Sequence, residues 1–460
     1  MPITSLPRST PAEQGVASRG VADFLDAAEA AGDVELHSLM LLRHGHVVAE
    51  GWWEPYGPDE VHLLYSLSKT FTATAAGLAE SEGLLSFDDR VVDHFPELAG
   101  AATDERTRAM RVRDLAAMAT GHREDTVDRI FTLDPEEPVR AFLGLPPEEE
   151  PGSLFCYNNG ATYTLGAIVQ RVTGQSLTAY LQPRLFDPLG VPAPFWLTRP
   201  AGREIGFSGL HLATESVAKL GQLYLDDGVW QGRRLLPEGW VAEASRIHTP
   251  NPDEPNPDWR QGYGYQIWRA RHGYRGDGAY GQFCVVLPEQ DVVLAITAQT
   301  ENMQAVLDAA WAHLLPALDV ASAEQDEALA ARLQALSLTP GGDGTPASAP
   351  PEAATTLPVG SVAADPAGGW RLTIGDDDLP VRVGQDSWAR NDLALPEGRR
   401  LLLAASGREI DGALVVQLVF LETPHRLWVT VNLATGSSTA RWQTVPLHSG
   451  RITEYATSGH

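Results

Sequence analysis

The tetrad Ser66-Leu67-Ser68-Lys69 sets a hydroxyl and an amine three residues apart, at the head of an alanine-rich segment. On a helix, positions i and i+3 share a face, so these two side chains can meet. A serine hydroxyl is a poor nucleophile until a neighbouring base takes its proton. A lysine can be that base only when burial or nearby charge pulls its pKa down. The helix N-terminus also favours negative charge developing on Ser66. Taken alone, such a tetrad also reads as a helix cap followed by an exposed lysine. Composition separates the two readings. Of the 34 basic residues only Lys69 and Lys219 are lysine, and the other 32 are arginine. Arginine cannot deprotonate in a protein, whereas lysine can. A lysine retained three residues after a helix-start serine is what a Ser–Lys pair requires. Lys219, in a Leu/Ala-rich helical pattern without a partner motif, reads as an ordinary surface lysine.

Tyr157-Asn158-Asn159 is a second candidate. A phenol beside an ammonium has a lowered pKa and can pass protons to a leaving group or to water. Asn159 can donate to a substrate carbonyl while accepting from an ammonium. By itself Tyr-Asn-Asn-Gly reads as a turn. A third feature, Gly276-Asp277-Gly278-Ala279-Tyr280-Gly281, matches the G-x-G-x-x-G spacing of dinucleotide sites. That fingerprint needs a helix after it. Here the strand-like Gln282–Leu287 follows and runs into Pro288, so a nucleotide site is rejected. The glycines instead let a strand edge, with its N–H donors, approach a ligand closely. No G-x-S-x-G, G-x-x-x-x-G-K-[ST] or H-E-x-x-H occurs, and the histidines are scattered.

These residues need elements to position them. Residues 19–32 have helical spacing. Leu36–Leu42 and Val47–Trp53 form a hairpin pattern around Arg43-His44-Gly45-His46. The helix carrying Ser66 ends at Gly83. Helical patterns follow in 105–145 with breaks, Ala161–Val172, Thr214–Asp227 and Leu307–Leu315. Gln282–Leu287 and Asp291–Thr297 read as strand, turn, strand. The order predicts an α+β fold: an antiparallel sheet backed by helices, with an inserted helical lobe. Residues 339–357, rich in Pro, Gly, Ala and Thr, read as a linker. They divide a first domain, 1–338, from a small all-β domain, 358–460, where Trp370–Ile374, Leu401–Ala404, Leu414–Leu421 and Leu427–Val431 have strand patterns.

A net charge of −26 argues against nucleic acid or an anionic membrane as partner. Cys156 and Cys284 fit neither a disulfide framework nor a zinc site and read as two free thiols. With no signal-peptide pattern and no apolar run long enough for a bilayer, the expectation is a cytoplasmic protein.

Taken together, Ser66-Leu67-Ser68-Lys69, Tyr157-Asn158-Asn159 and a glycine-rich strand late in the domain resemble the serine β-lactamase and DD-peptidase superfamily. Tyr65–Phe71, Glu82–Ser86, Ser208–Leu210, Thr214–Ala218 and Leu236–Trp240 add to the likeness, which covers roughly residues 10–320. The Tyr-x-Asn form is similar to class C β-lactamases and related esterases and 6-aminohexanoate-oligomer hydrolases. The resemblance implies an antiparallel sheet flanked by helices, with the active site between sheet and lobe. It implies acyl transfer, with Ser66 as nucleophile, Lys69 and Tyr157 as acid/base, and no metal or organic cofactor. Asn159, Arg275, Gly276, Asp277 and Gly278 are the expected substrate-binding residues, with a second oxyanion N–H near Asp277. One departure stands out. The family's third motif, Lys-Thr-Gly or His-x-Gly, is placed at Tyr274-Arg275-Gly276, where the cation that grips a β-lactam carboxylate is missing or replaced by Arg275. The expected substrate is therefore a small-molecule or short-peptide ester or amide. D-amino-acid peptides and β-lactams are the other substrate classes, and a non-catalytic ligand or peptide binder is the alternative function. The oligomeric state is not set by the sequence.

Overall fold

The computed structural model describes residues 5–320, 322–341, 354–355, 357–447 and 451–458. Helix α1, Ser18–Ala30, buries Val21, Phe24, Leu25 and Ala28, an i, i+3, i+4, i+7 stripe. It packs behind a six-stranded antiparallel sheet. The strands are β1 (Glu35–Arg43), β2 (His46–Trp52), β3 (Trp268–Arg269), β4 (Tyr274–Gly278), β5 (Gln282–Leu287) and β6 (Val292–Gln299), in the order β2-β1-β6-β5-β4-β3. Strands β1, β5 and β6 are buried along almost their whole length, as expected of a sheet covered on both faces. On the face opposite α1 lie helix α2 (Ser68–Ser81) and a lobe that includes α3 (Val127–Leu133), α4 (Asn159–Thr173) and α5 (Thr214–Leu225). Helix α6, Met303–Ala309, returns to the α1 side and continues as a π turn to Leu314. The α+β architecture expected from the sequence is the one observed.

Lys219 is the exception to the expected surface. Only 3% exposed, it donates to the Gly190 carbonyl at 3.3 Å and pairs with Glu215 at 3.5 Å. Its stem lies on the packed side of α5, and its ammonium satisfies a carbonyl at the end of a neighbouring helical turn.

Residues 342–353 and 356 of the expected 339–357 linker lie outside the described residues. Beyond them the chain forms a curled all-β domain around its own apolar core, including Leu372, Val381, Leu403, Leu418 and Val429. Its main strands are β7 (Val359–Ala364), β8 (Trp370–Ile374), β9 (Leu379–Gln385), β10 (Ala389–Ala394), β11 (Arg399–Ile410), β12 (Ala413–Phe420), β13 (Arg426–Asn432) and β14 (Ser438–Trp442). Strand β9 shows the two-residue period plainly: Leu379, Val381 and Val383 point inward between exposed neighbours. All main-strand pairings are antiparallel except β9 with β11.

This domain is seated on the first. Ala404, Val419 and Leu421 join the apolar cluster of Leu36, Leu39 and Leu41. Leu63 N–H donates to the Glu422 carbonyl at 2.8 Å, and Arg426 pairs with Glu35 at 2.6 Å. The Tyr65 hydroxyl shares a hydrogen bond with His425 Nε2.

Candidate active site

Ser66 lies not inside α2 but on the 3-10 turn Tyr65–Leu67 that feeds it. Tyr65 takes a left-handed φ of +47°, a conformation costly for a bulky residue and held only by its surroundings. The helical path from Ser66 to Lys69 is continuous, so the i, i+3 relation holds: Lys69 Nζ is 2.9 Å from Ser66 Oγ. Lys69 is 1% exposed. Its ammonium spends its other two donors on Asn159 Oδ1 at 2.6 Å and the Phe207 carbonyl at 2.7 Å. Burial drives its pKa down to about 7, against the opposing pull of Asp125 and Asp277. Near neutral pH the amine can therefore be neutral and accept a proton.

Asn159 opens α4. Asn158, fully buried, caps that helix through Oδ1, which also accepts from Thr126 N and Oγ1. Gly160 fits because a Cβ there would lie 2.1 Å from Thr126 Oγ1. Asp125 takes both donors of Asn159, the backbone N–H at 2.8 Å and Nδ2 at 2.6 Å. This turns Asn159 Oδ1 toward Lys69. Asp125 was not visible as a site residue in the sequence, since it belongs to no motif and reaches the site by packing.

Tyr157 stacks on Trp268, with ring centroids 5.7 Å apart and planes 11° apart. Its ring centroid is 4.8 Å from Lys69 Nζ, the ammonium that also holds Ser66 Oγ. The expected lowering of its pKa is corrected. Burial, and then the Asp277 carboxylate, push the phenol well above its ordinary value. The proximity of the lysine does not outweigh desolvation, so Tyr157 stays protonated and can act as a donor. Trp268, with Phe155 and Tyr263, builds the aromatic wall. The aromatic-rich run Trp259–Trp268 was the sequence signal that could have found it.

Strand β4 passes close beneath the Ser66 turn. A Cβ on Gly276 would be 2.4 Å from Leu67 Cδ1, and one on Gly278 would be 2.0 Å from the Leu64 carbonyl oxygen. These two glycines therefore face the turn, and alternation sends Arg275 and Asp277 to the other face. Strand β3 pairs only with Tyr274 and Arg275, so 276–278 form a strand edge beside the nucleophile. Of the stretch expected to carry the third motif, Tyr274-Arg275-Gly276, only Gly276 faces the Ser66 turn, and Gly278 faces it beside Gly276.

The expected role of Arg275 is corrected. The guanidinium is completely buried, bonded through Nε to Asp277 Oδ2 at 3.0 Å and through Nη1 to the Asp258 and Arg269 carbonyls. It lies 4.3 Å from the Trp259 ring. A cation so enclosed does not present itself to a substrate carboxylate. Asp277 accepts from Arg275 Nε through Oδ2. Burial raises its pKa, and Arg275 and then Lys69 pull it back.

The site thus joins a serine, a buried lysine of lowered pKa, a protonated tyrosine and a free strand edge between sheet and lobe. Such a set can carry out acyl transfer without a bound ion. The chain matches the Beta-lactamase family over residues 21–318. It belongs to that family, as a serine hydrolase related to β-lactamases and penicillin-binding proteins. It is 27% identical over 310 residues, 62% of this chain and 78% of the relative, to the 6-aminohexanoate-dimer hydrolase of Paenarthrobacter ureafaciens. Among solved structures, it shares its fold with EstCE1, a hydrolase with promiscuous acyltransferase activity, at TM-score 0.54 and 18% identity, covering 64% of this chain and 98% of that one. The octameric penicillin-binding protein homologue from Pyrococcus abyssi aligns over 87% of this chain and 97% of its own, at TM-score 0.51 and 18% identity. That coverage exceeds what residues 1–338 can supply, so the likeness extends into the C-terminal sheet. Among the described residues no helix is long and apolar enough to cross a membrane.

Proposed function

We propose that the protein hydrolyses small esters or amides through an acyl-enzyme on Ser66. The observation that carries this reading is the buried Lys69 amine, its pKa near 7, at 2.9 Å from Ser66 Oγ. Neutral Lys69 takes the Ser66 proton as Oγ attacks the substrate carbonyl. The oxyanion is held by the Ser66 N–H and an N–H near Asp277 on the free strand edge, at about 10²–10³ in rate per donor. Tyr157 gives its proton to the leaving group and regains one from the Lys69 ammonium. Water, deprotonated by the same pair, then releases the acid.

The cation of strand β4, Arg275, is enclosed by Asp277 and the Asp258 and Arg269 carbonyls, which favours ester and amide substrates over β-lactams and over peptides ending in a carboxylate. A cytoplasmic location belongs to the same proposal, since Cys156 and Cys284 are unpaired, as fits a reducing compartment; cell fractionation tests it. The function is tested by turnover of p-nitrophenyl esters and anilides beside a chromogenic cephalosporin. Ester or anilide turnover lost in Ser66→Ala supports the reading. A cephalosporin rate above both contradicts the substrate assignment.

A further inference from the structure

The two N–H groups assigned to the oxyanion lie on separate segments, the Ser66 turn and the 276–278 edge of β4, so no local structure fixes the distance between them. Packing sets only their closest approach. Gly276 and Gly278 already lie so near the turn that a Cβ on either would overlap Leu67 or the Leu64 carbonyl. That contact stops the segments from closing further and does nothing to stop them from parting. Two tyrosines supply the opposite restraint. Tyr65 immediately precedes Ser66, and Tyr280 stands two residues after Gly278, in the turn that joins β4 to β5. Both have a left-handed backbone, with φ of +47° and +67°, which a bulky residue adopts only where its surroundings impose it. Both are buried, and both hydroxyls end on the C-terminal domain. Tyr65 Oη shares a hydrogen bond with His425 Nε2, and Tyr280 Oη donates to the Val445 carbonyl. The two rings meet edge-on at 5.3 Å and stand edge-on to the His425 imidazole at 5.8 and 5.4 Å. The turn carrying Tyr280 is braced: its carbonyl accepts from Thr300 N–H at 3.1 Å, and the buried Gln282 side chain donates to the Ala279 carbonyl at 3.0 Å. Restraint on the Tyr280 ring therefore reaches the end of β4.

We propose that the C-terminal domain holds the oxyanion hole to its working width, with Tyr280 the positioning residue for the β4 edge and Tyr65 the one for the Ser66 turn. The proposal rests on the acyl-enzyme reading above. Neither side chain touches the substrate; each acts through the backbone it anchors. Both donors must lie about 2.7–3.1 Å from one oxygen as its charge develops. A small parting of the two segments therefore weakens the transition state and leaves ground-state binding as it was.

The test is Tyr280→Phe in the full chain, which keeps the ring and removes the hydroxyl held by Val445. Turnover of p-nitrophenyl acetate is measured above the Lys69 pKa of about 7, beside inhibition by phenylboronic acid, whose tetrahedral adduct on Ser66 sets an oxygen in the oxyanion hole. Expected is a kcat lower by about tenfold, less than the loss of a donor outright, with KM unchanged and the phenylboronic acid Ki raised by a similar factor. His425→Gln, which removes the imidazole that both rings face, should show the same paired loss and carries the test if Tyr280→Phe does not fold. Trp388→Phe is the structural comparison. It cuts another hydrogen bond between the domains, from Trp388 Nε1 to the Leu338 carbonyl at 3.2 Å, and should lower Tm while leaving kcat and Ki in place. Folded Tyr280→Phe or His425→Gln with kcat and Ki unmoved, or with only KM raised, overturns the proposal. So does a Trp388→Phe protein that loses as much in both quantities, since any loosening of the domains would then suffice. A folded wild-type protein that neither turns over the ester nor forms the boronate adduct on Ser66 overturns the hydrolase reading, and this proposal with it.

Discussion

Tyr65 Oη is hydrogen-bonded to His425 Nε2, so the residue before the nucleophile is held by the C-terminal domain. Tyr65 packs edge-on against Tyr280 and His425, and its left-handed backbone sets the angle at which Ser66 enters the site. Tyr65→Phe should destabilise the protein by about 1–3 kcal/mol, because it leaves a buried imidazole nitrogen unsatisfied. If Tyr65 positions Ser66, kcat should fall with KM unchanged. Denaturant melts and steady-state kinetics check both. A stability loss with kcat intact would make the contact structural only.

Lys69→Arg removes a base that can deprotonate and should lower kcat by about 10²–10⁴-fold. Circular dichroism establishes that the variant is folded before its rate is read. Turnover at the wild-type rate would remove Lys69 from the mechanism.

The pH profile should carry the signature of that amine. Lys69 must be neutral to accept the Ser66 proton, and its pKa lies at about 7. Activity should therefore fall as pH drops through 7, and kcat/KM should reach a plateau above it. Free-enzyme pKa values appear in kcat/KM, so that is the quantity to measure from pH 5 to 9.

Asp125 raises the Lys69 pKa by its charge and orients Asn159 through two hydrogen bonds. Asp125→Asn removes the charge, so the acidic limb of the profile should move to lower pH. Loosening Asn159 should also cost up to about 10²-fold in kcat. A lower rate with an unshifted limb would leave Asp125 a merely structural partner.

Gly278→Ala would set a methyl 2.0 Å from the Leu64 carbonyl oxygen, and backbone cannot yield as a side chain can. Strand β4 must then lift from the Ser66 turn. The variant should lose about 1–3 kcal/mol of stability and most of its activity, readable in thermal melts and ester assays.

The sequence made local relations legible and left distant ones hidden. Ser66 and Lys69 meet because one helical turn fixes their spacing, and Tyr157 to Asn159 lie on one short segment. The more apolar strands of both sheets were readable, Leu36–Leu42, Gln282–Leu287 and Leu414–Leu421 among them, whereas β9, with Leu379, Val381 and Val383 alternating between charged or small neighbours, was not read as a strand. Arg275 was misread because its enclosure by Asp277, two backbone carbonyls and the Trp259 ring is tertiary, and only the packing of Gly276 and Gly278 shows which residues of the strand face the Ser66 turn. The rise of the Tyr157 pKa depends on burial by Trp268 and Tyr263, residues over a hundred positions away. Asp125 and His425 likewise reach the nucleophile through tertiary packing, which no local pattern encodes. Lys219 was read as exposed because helical spacing does not say which neighbour will cover a face.

The central claim is that Lys69 activates Ser66. It is tested most directly by the rate at which a fluorophosphonate labels the protein, followed by intact mass across pH 5–9. The expected result is one adduct, mapped to Ser66, forming faster as pH rises through about 7 and strongly slowed in Lys69→Arg. Labelling of folded Lys69→Arg at the wild-type rate, or no adduct on Ser66 at any pH, would contradict it.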